Sequence, residues 1–142
     1  MAAQTLPTIE DVIAVAEFRS ALRHFLRRSE KIARKSGLTP QRYTLLMMIK
    51  GAPEGAEQST VTELAERMQL AQSTVTELVR RAESAGLIER EQSQRDARVA
   101  HLRLTTEGER RLMLSFTELE TERAQLRDAF ASLDGGVTGT GH

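Results

Sequence analysis

The chain has 142 residues, about one domain, with 39% hydrophobic and 28% charged residues and 20 Lys+Arg balanced by 20 Asp+Glu. This composition excludes a disordered tail, and the lack of Cys excludes a disulfide framework, a thiolate nucleophile and a Cys-ligated metal. No apolar run nears the roughly 20 residues of a membrane span, and the start of the chain lacks a basic-then-apolar leader, so a cytoplasmic protein with no membrane partner is expected.

Thr8 followed by Asp11 starts a first helix, expected over 8–36, whose apolar residues Val12, Val15, Phe18, Leu22, Phe25 and Ile32 keep three-and-four spacing until Gly37. It is longer than a chain of this size needs, so it is expected to pack against a partner chain. Its second half gathers Arg19, Arg23, Arg27, Arg28, Lys31, Arg34 and Lys35 around a single acid, Glu30. Taken alone, such a run reads as a solvated helix face. Thr39 and Pro40 open a second helix that buries Leu45, Leu46, Met48 and Ile49 and ends at Gly51.

After a loose stretch to Ser59, Thr60 and Glu63 form a capping box for a short third helix with Val61, Leu64, Ala65 and Met68 inside. Gln69 to Gln72 connects it tightly to a fourth, whose stripe is Val75, Leu78, Val79 and Ala82 and whose stop is Gly86. This is a helix-turn-helix pattern. Leu87 to Glu91, the polar tip Gln92 to Arg98, and Val99 to Leu104 then read as a β-hairpin. Thr106 with Glu109 opens a last helix over 106–133, with Leu112, Phe116, Leu119, Leu126, Phe130 and Leu133 in a heptad seam broken only by Arg123. Glycines make 135–142 a flexible tail. The fold class is mainly α with a small β-hairpin wing.

Opposite the buried stripe of the fourth helix lie Ser73, Thr76, Glu77 and Arg80, flanked by Gln72, Thr74 and Arg81. Short hydroxyls at a helix start can approach phosphates and base edges, and Arg can read guanine bidentately. Alone, this face reads more readily as a solvated surface with a Glu77/Arg81 ion pair. The hairpin tip adds Arg95 and Arg98, with Asp96 placed to hold Arg98 rigid, and an arm of this width can enter a minor groove. Together the two elements form a winged helix that can span adjacent grooves of double-stranded DNA.

The sequence resembles the MarR family of winged helix-turn-helix regulators. The likeness runs through nearly the whole chain and is most specific in DARVAHLRLT at 96–105, with support from LTPQRYTLL at 38–46, VTELAERMQL at 61–70 and STVTELVRRAESAGLI at 73–88. It implies one MarR-like domain over 1–142, dimerisation helices at 8–36 and 106–133, and a DNA-binding region at 57–105. By the same resemblance the protein is a homodimeric repressor on a pseudo-palindromic operator. The fourth helix enters the major groove, Arg98 reaches the minor groove with Asp96 orienting it, and Arg95 supports a phosphate contact. Ala71 departs from the family's capping Ser or Asp, and Glu77 with Arg80 reverses its common Arg-then-Asp order. Family members commonly release DNA when a small aromatic acid binds; Arg23, His24, Arg27, Tyr43 and Met47 lie on the elements bordering such a pocket, where His24 and Tyr43 also suit plain surface and packing roles.

Two other readings compete. An enzyme is not expected, because His24, His101 and His142 fall on a helix, a strand and a tail, with no metal-binding, phosphate-loop or serine-nucleophile motif and no implied cofactor. A winged helix that binds protein, such as an antirepressor, fits the near-neutral 57–104 region but does not require basic groups at the hairpin tip.

Overall fold

The computed structural model describes residues 5–138. Thr8 opens α1 (Ile9–Lys35) with a reciprocal box: its hydroxyl accepts from the Asp11 N–H at 3.3 Å, and its own N–H donates to the Asp11 carboxylate at 2.8 Å. Two orphan donors are satisfied together, so the helix begins where the sequence puts it. Gly37 ends it at a left-handed φ of 76°, which a side chain would resist. Thr39 then caps α2 (Pro40–Lys50) by accepting from the Arg42 N–H at 3.2 Å.

A single 3-10 turn, Pro53–Gly55, crosses the loose stretch into α3 (Val61–Met68). Only half of the expected box forms there: the Thr60 hydroxyl accepts from the Glu63 N–H at 3.2 Å. Gln69 makes the sharp turn at φ 55° with its side-chain amide donating to the Glu66 carbonyl at 2.7 Å, and α4 (Gln72–Ser84) follows. Strands β1 (Ile88–Gln92) and β2 (Ala100–Leu104) pair antiparallel, Ile88 opposite Leu104 and Gln92 opposite Ala100. Ser59 joins β2 from outside the hairpin as an isolated bridge, with backbone bonds of 3.1 and 2.8 Å to Leu102. Leu45, Leu46, Ile49, Leu64, Val75, Val79, Leu87 and Leu102 form the buried centre of this lobe. Each such side chain contributes roughly 1.5–3 kcal/mol, enough together to fix how α4 and the hairpin stand.

The last helix differs from expectation in four ways. Its cap is Thr105, not Thr106: the Thr105 hydroxyl accepts from the Gly108 N–H at 3.1 Å and donates to the Gly86 carbonyl at 2.6 Å, a tertiary bond that its neighbour does not make. The expected single helix is two, α5 (Thr106–Glu118) and α6 (Glu120–Thr138), broken at buried Leu119. Arg123, the interruption in the seam, serves this break. Its guanidinium lies 4.1 Å from the Phe116 ring centre and donates to the Phe116 carbonyl at 3.2 Å, which also accepts from the Leu119 N–H at 3.2 Å where α5 ends.

The other two differences concern the end of the chain and the partner of α1. Instead of a flexible tail from Gly135, α6 runs on to Thr138, because a helix already under way adds one bond per residue and outlasts two glycines. The rest of the expected tail, 139–142, lies outside the described residues. α1 also finds a partner within its own chain, since α6 returns along it. Phe18 meets Phe130 edge to face at 6.1 Å, and Arg28 binds Glu122 at 3.3 Å. Ile9, Val12, Ile13, Val15, Leu26, Met113, Leu114 and Phe130 remain exposed.

Candidate nucleic-acid interface

Val75, Leu78, Val79 and Ala82 bury one side of α4, which turns the expected polar set outward. Gln72, Ser73, Thr74, Thr76, Arg80 and Arg81 are exposed, and Glu77 is half-buried among them. Ala71 leaves the helix without a side-chain cap, so the first-turn N–H groups of α4 are open to an incoming anion. Gln72 donates to the Thr62 hydroxyl at 3.3 Å and so ties the start of α4 to α3.

Glu77 does more than pair with Arg81. Its carboxylate accepts from Arg80 Nε at 3.0 Å and Nη2 at 2.7 Å, and from Arg81 Nε at 3.0 Å. The Arg80 bonds, with those of Arg81 behind them, hold Glu77 below the usual carboxylate range, and Glu77 raises Arg80 in turn. One acid therefore sets the direction of two guanidinium groups, at a modest energetic return because all three reach solvent.

The hairpin tip repeats the device. Arg98 is 91% exposed, yet its Nε donates to Asp96 at 3.2 Å and its backbone N–H to the same carboxylate oxygen at 3.0 Å. Both bonds, the side-chain one foremost, lower the Asp96 pKa. Ser93, to which no sequence motif drew attention, pins the turn: its hydroxyl accepts from the Arg95 and Asp96 N–H groups at 3.2 and 3.4 Å, and its N–H donates to the Val99 carbonyl at 2.9 Å. A serine three residues before Asp96 in a polar cluster is the signal that could have found it. Arg95 is exposed, and no ion pair holds it among the described residues.

One ion pair ties the wing to the helices: Arg90 of β1 binds Glu83 of α4 at 2.9 Å. Beside it, Arg98 lines a groove of about 270 Å³ with Thr60 and Thr62 at the start of α3. A second groove, about 360 Å³, lies between Gln41 of α2 and Ser73, Thr74 and Arg81 of α4. Gln41 is thus a neighbour of the α4 face that the sequence did not point to. All ten expected DNA-facing residues lie on α4 or the hairpin tip; Thr62 lines the groove beside Arg98 and also accepts from Gln72 at the start of α4.

The five residues expected at an effector site differ in burial. Arg23, His24 and Arg27 are exposed on α1, Met47 is half-buried against the core, and Tyr43 is buried. Burial raises the Tyr43 pKa, a rise that Arg123 partly offsets, and neither the Tyr43 hydroxyl nor Arg123 Nε has a hydrogen-bond partner. Among the described residues no helix is long and apolar enough to cross a membrane, and no cluster of acids and histidines is placed to hold a metal ion.

The sequence profile of the MarR family matches residues 36–99, which is the lobe from the end of α1 to the wing tip. Wild-type MarR from E. coli, in its apo form, is 17% identical with a TM-score of 0.68, over 97% of this chain and 98% of that one. A cysteine-to-serine mutant of E. coli MarR complexed with operator DNA is 19% identical with a TM-score of 0.66, over 86% and 89% of the two chains. A mutant of MepR from S. aureus bound to an oligodeoxyribonucleotide is 18% identical with a TM-score of 0.64, over 87% and 91%. No curated protein matches the chain.

Proposed function

We propose that this chain is a MarR-family winged-helix protein and a sequence-specific DNA-binding transcriptional regulator, a cytoplasmic repressor acting as a homodimer. One observation carries the reading: exposed arginines on α4 and at the wing tip, the two reading elements of a winged helix, are each oriented by a carboxylate. Glu107 holds Arg110 and Arg111 in the same way on α5, so it is the placing of such groups on the helix and the wing of a winged helix that suits groove contacts. In this reading Ser73, Thr74 and Thr76 approach phosphates and base edges, with Gln72 beside them. Arg80 or Arg81 reads a base under the control of Glu77, Arg95 binds a phosphate, and Arg98 enters the minor groove.

Two copies related by a twofold axis would read half-sites about 34 Å apart. The exposed apolar residues of α1, α5 and α6 supply the surface for that pairing. Selection of duplexes from a random pool tests the proposal, and it should return a pseudo-palindrome. On that duplex Arg98→Ala should lose about 1–3 kcal/mol of affinity while the dimer stays folded. A chain that binds no duplex, or whose binding ignores salt, would be a protein-binding winged helix instead.

Release by a small aromatic acid completes the proposal. Of the residues expected there, Tyr43 stays in it and Arg123 joins it, because an acid would give both buried orphan groups a partner. Aromatic carboxylic acids should raise the melting temperature of the wild type and leave Arg123→Gln unmoved.

A further inference from the structure

Five of the seven exposed arginines of the lobe are tied to an acid, whereas most cations of α1 are not. Arg19, Arg23, Arg27, Lys31, Arg34 and Lys35 are exposed and make no ion pair among the described residues, while Arg28 alone reaches an acid, Glu122. Like charges four residues apart cost a helix about 0.2–0.5 kcal/mol per pair. The helix dipole rewards cations only in the last turn, so the chain's own fold offers Arg23 and Arg27 nothing.

Their position suggests a use. Glu30 of α1 lines a cavity of about 260 Å³ with Pro40, Gln41, Met68 and Leu70, at the turn between α3 and α4. Gln41 also lines the groove that holds Ser73, Thr74 and Arg81, so this face of α1 continues the α4 surface. Arg23 and Arg27 stand seven and three residues before Glu30 and Arg34 four after it, which puts all three on its face. From Arg23 to Arg34 the helix rises roughly 16 Å, enough to follow several phosphates of one strand at about 3.4 Å each.

The geometry points to a phosphate-binding face on α1: Arg23, Arg27 and Arg34 extend the interface of α4 onto the DNA backbone beside the bases that α4 reads. This rests on the DNA-binding function proposed above. The division of labour is physical, since base edges demand guanidinium groups held in direction, as Glu77 and Asp96 hold theirs, whereas a phosphate needs only charge within reach.

The test compares Arg27→Gln/Arg34→Gln with Lys31→Gln/Lys35→Gln, which removes the same charge from the flank of the helix. Affinity for a duplex chosen by the wild type is measured against salt concentration. The arginine pair should lower the log–log salt slope by about 0.9 for each phosphate left without its cation, and the lysine pair by clearly less. Equal slopes in all three proteins, or equal reductions in both variants, would overturn the inference while leaving the DNA-binding function intact. So would conversion of the arginine variant to a monomer by light scattering, because the face would then meet a second copy's acidic helix. A wild type that ignores every duplex overturns the proposed function and this inference with it.

Discussion

In the lobe from α2 to β2, the leucines and valines of each helix reach a shared core and the exposed arginines of α4 are held by a neighbouring acid. In the arm made of α1, α5 and α6, apolar side chains stay on the surface, Ile9 at 66% and Phe130 at 59% exposure, and six of the seven cations between Arg19 and Lys35 make no ion pair among the described residues, Arg28 with Glu122 being the exception. The lobe satisfies most of its own groups, and α1 leaves most of its cations open. A surface that exposes both apolar and unpaired basic groups is one whose partners lie outside the chain.

The largest test of this contrast is Leu102→Ala. Leu102 is fully buried under the hairpin and carries the bridge to Ser59, so truncation should cost about 2–5 kcal/mol in urea unfolding. A cost well under about 1 kcal/mol would mean that the lobe is not held by its own core. The arm should respond in the opposite way. Ile13→Asp alters a residue that is 49% exposed in one chain, so the fold should survive by circular dichroism. In a twofold dimer the change counts twice, and dissociation should strengthen at least about tenfold by sedimentation. An unaltered dimer would place the pairing surface elsewhere.

The same contrast explains what the sequence made legible. Caps and periods are local, so α1 through α4 and the hairpin appear near their places, from the Thr8/Asp11 box to the Gly37 stop. The break at Leu119 is not local. The heptad of Leu112, Phe116 and Leu126 runs straight through it, and Arg123 in an apolar register is its one trace in the sequence. Thr105 and Thr106 differ only in which reaches the Gly86 carbonyl, a bond that exists after folding. At the interface, the two-residue spacing of Asp96 and Arg98 was readable because a carboxylate there must meet the guanidinium. The grip of Glu77 on Arg81 follows from their four-residue spacing, whereas its equal hold on Arg80 shows only in the folded helix.

The smallest expected effect sits where lobe and arm join. At the start of α5, Glu107 accepts from Arg110 at 2.6 Å and from Arg111 at 2.9 Å, and these bonds, those of Arg110 foremost, bring its pKa from 4.5 down to about 2. A folded-state pKa below the unfolded one stabilises the protein above the unfolded value, and the gain disappears as pH falls through the folded one. Wild type should therefore melt slightly above Glu107→Gln at neutral pH, and the gap should hold down to about pH 4.5 and close near pH 2. The comparison with Gln isolates this carboxylate, since Glu77 and Asp96 titrate identically in both proteins. Because the group is exposed, the gap should be small and should shrink with added salt. A gap of constant size across that range would assign the difference to the shape of the side chain and not to its charge.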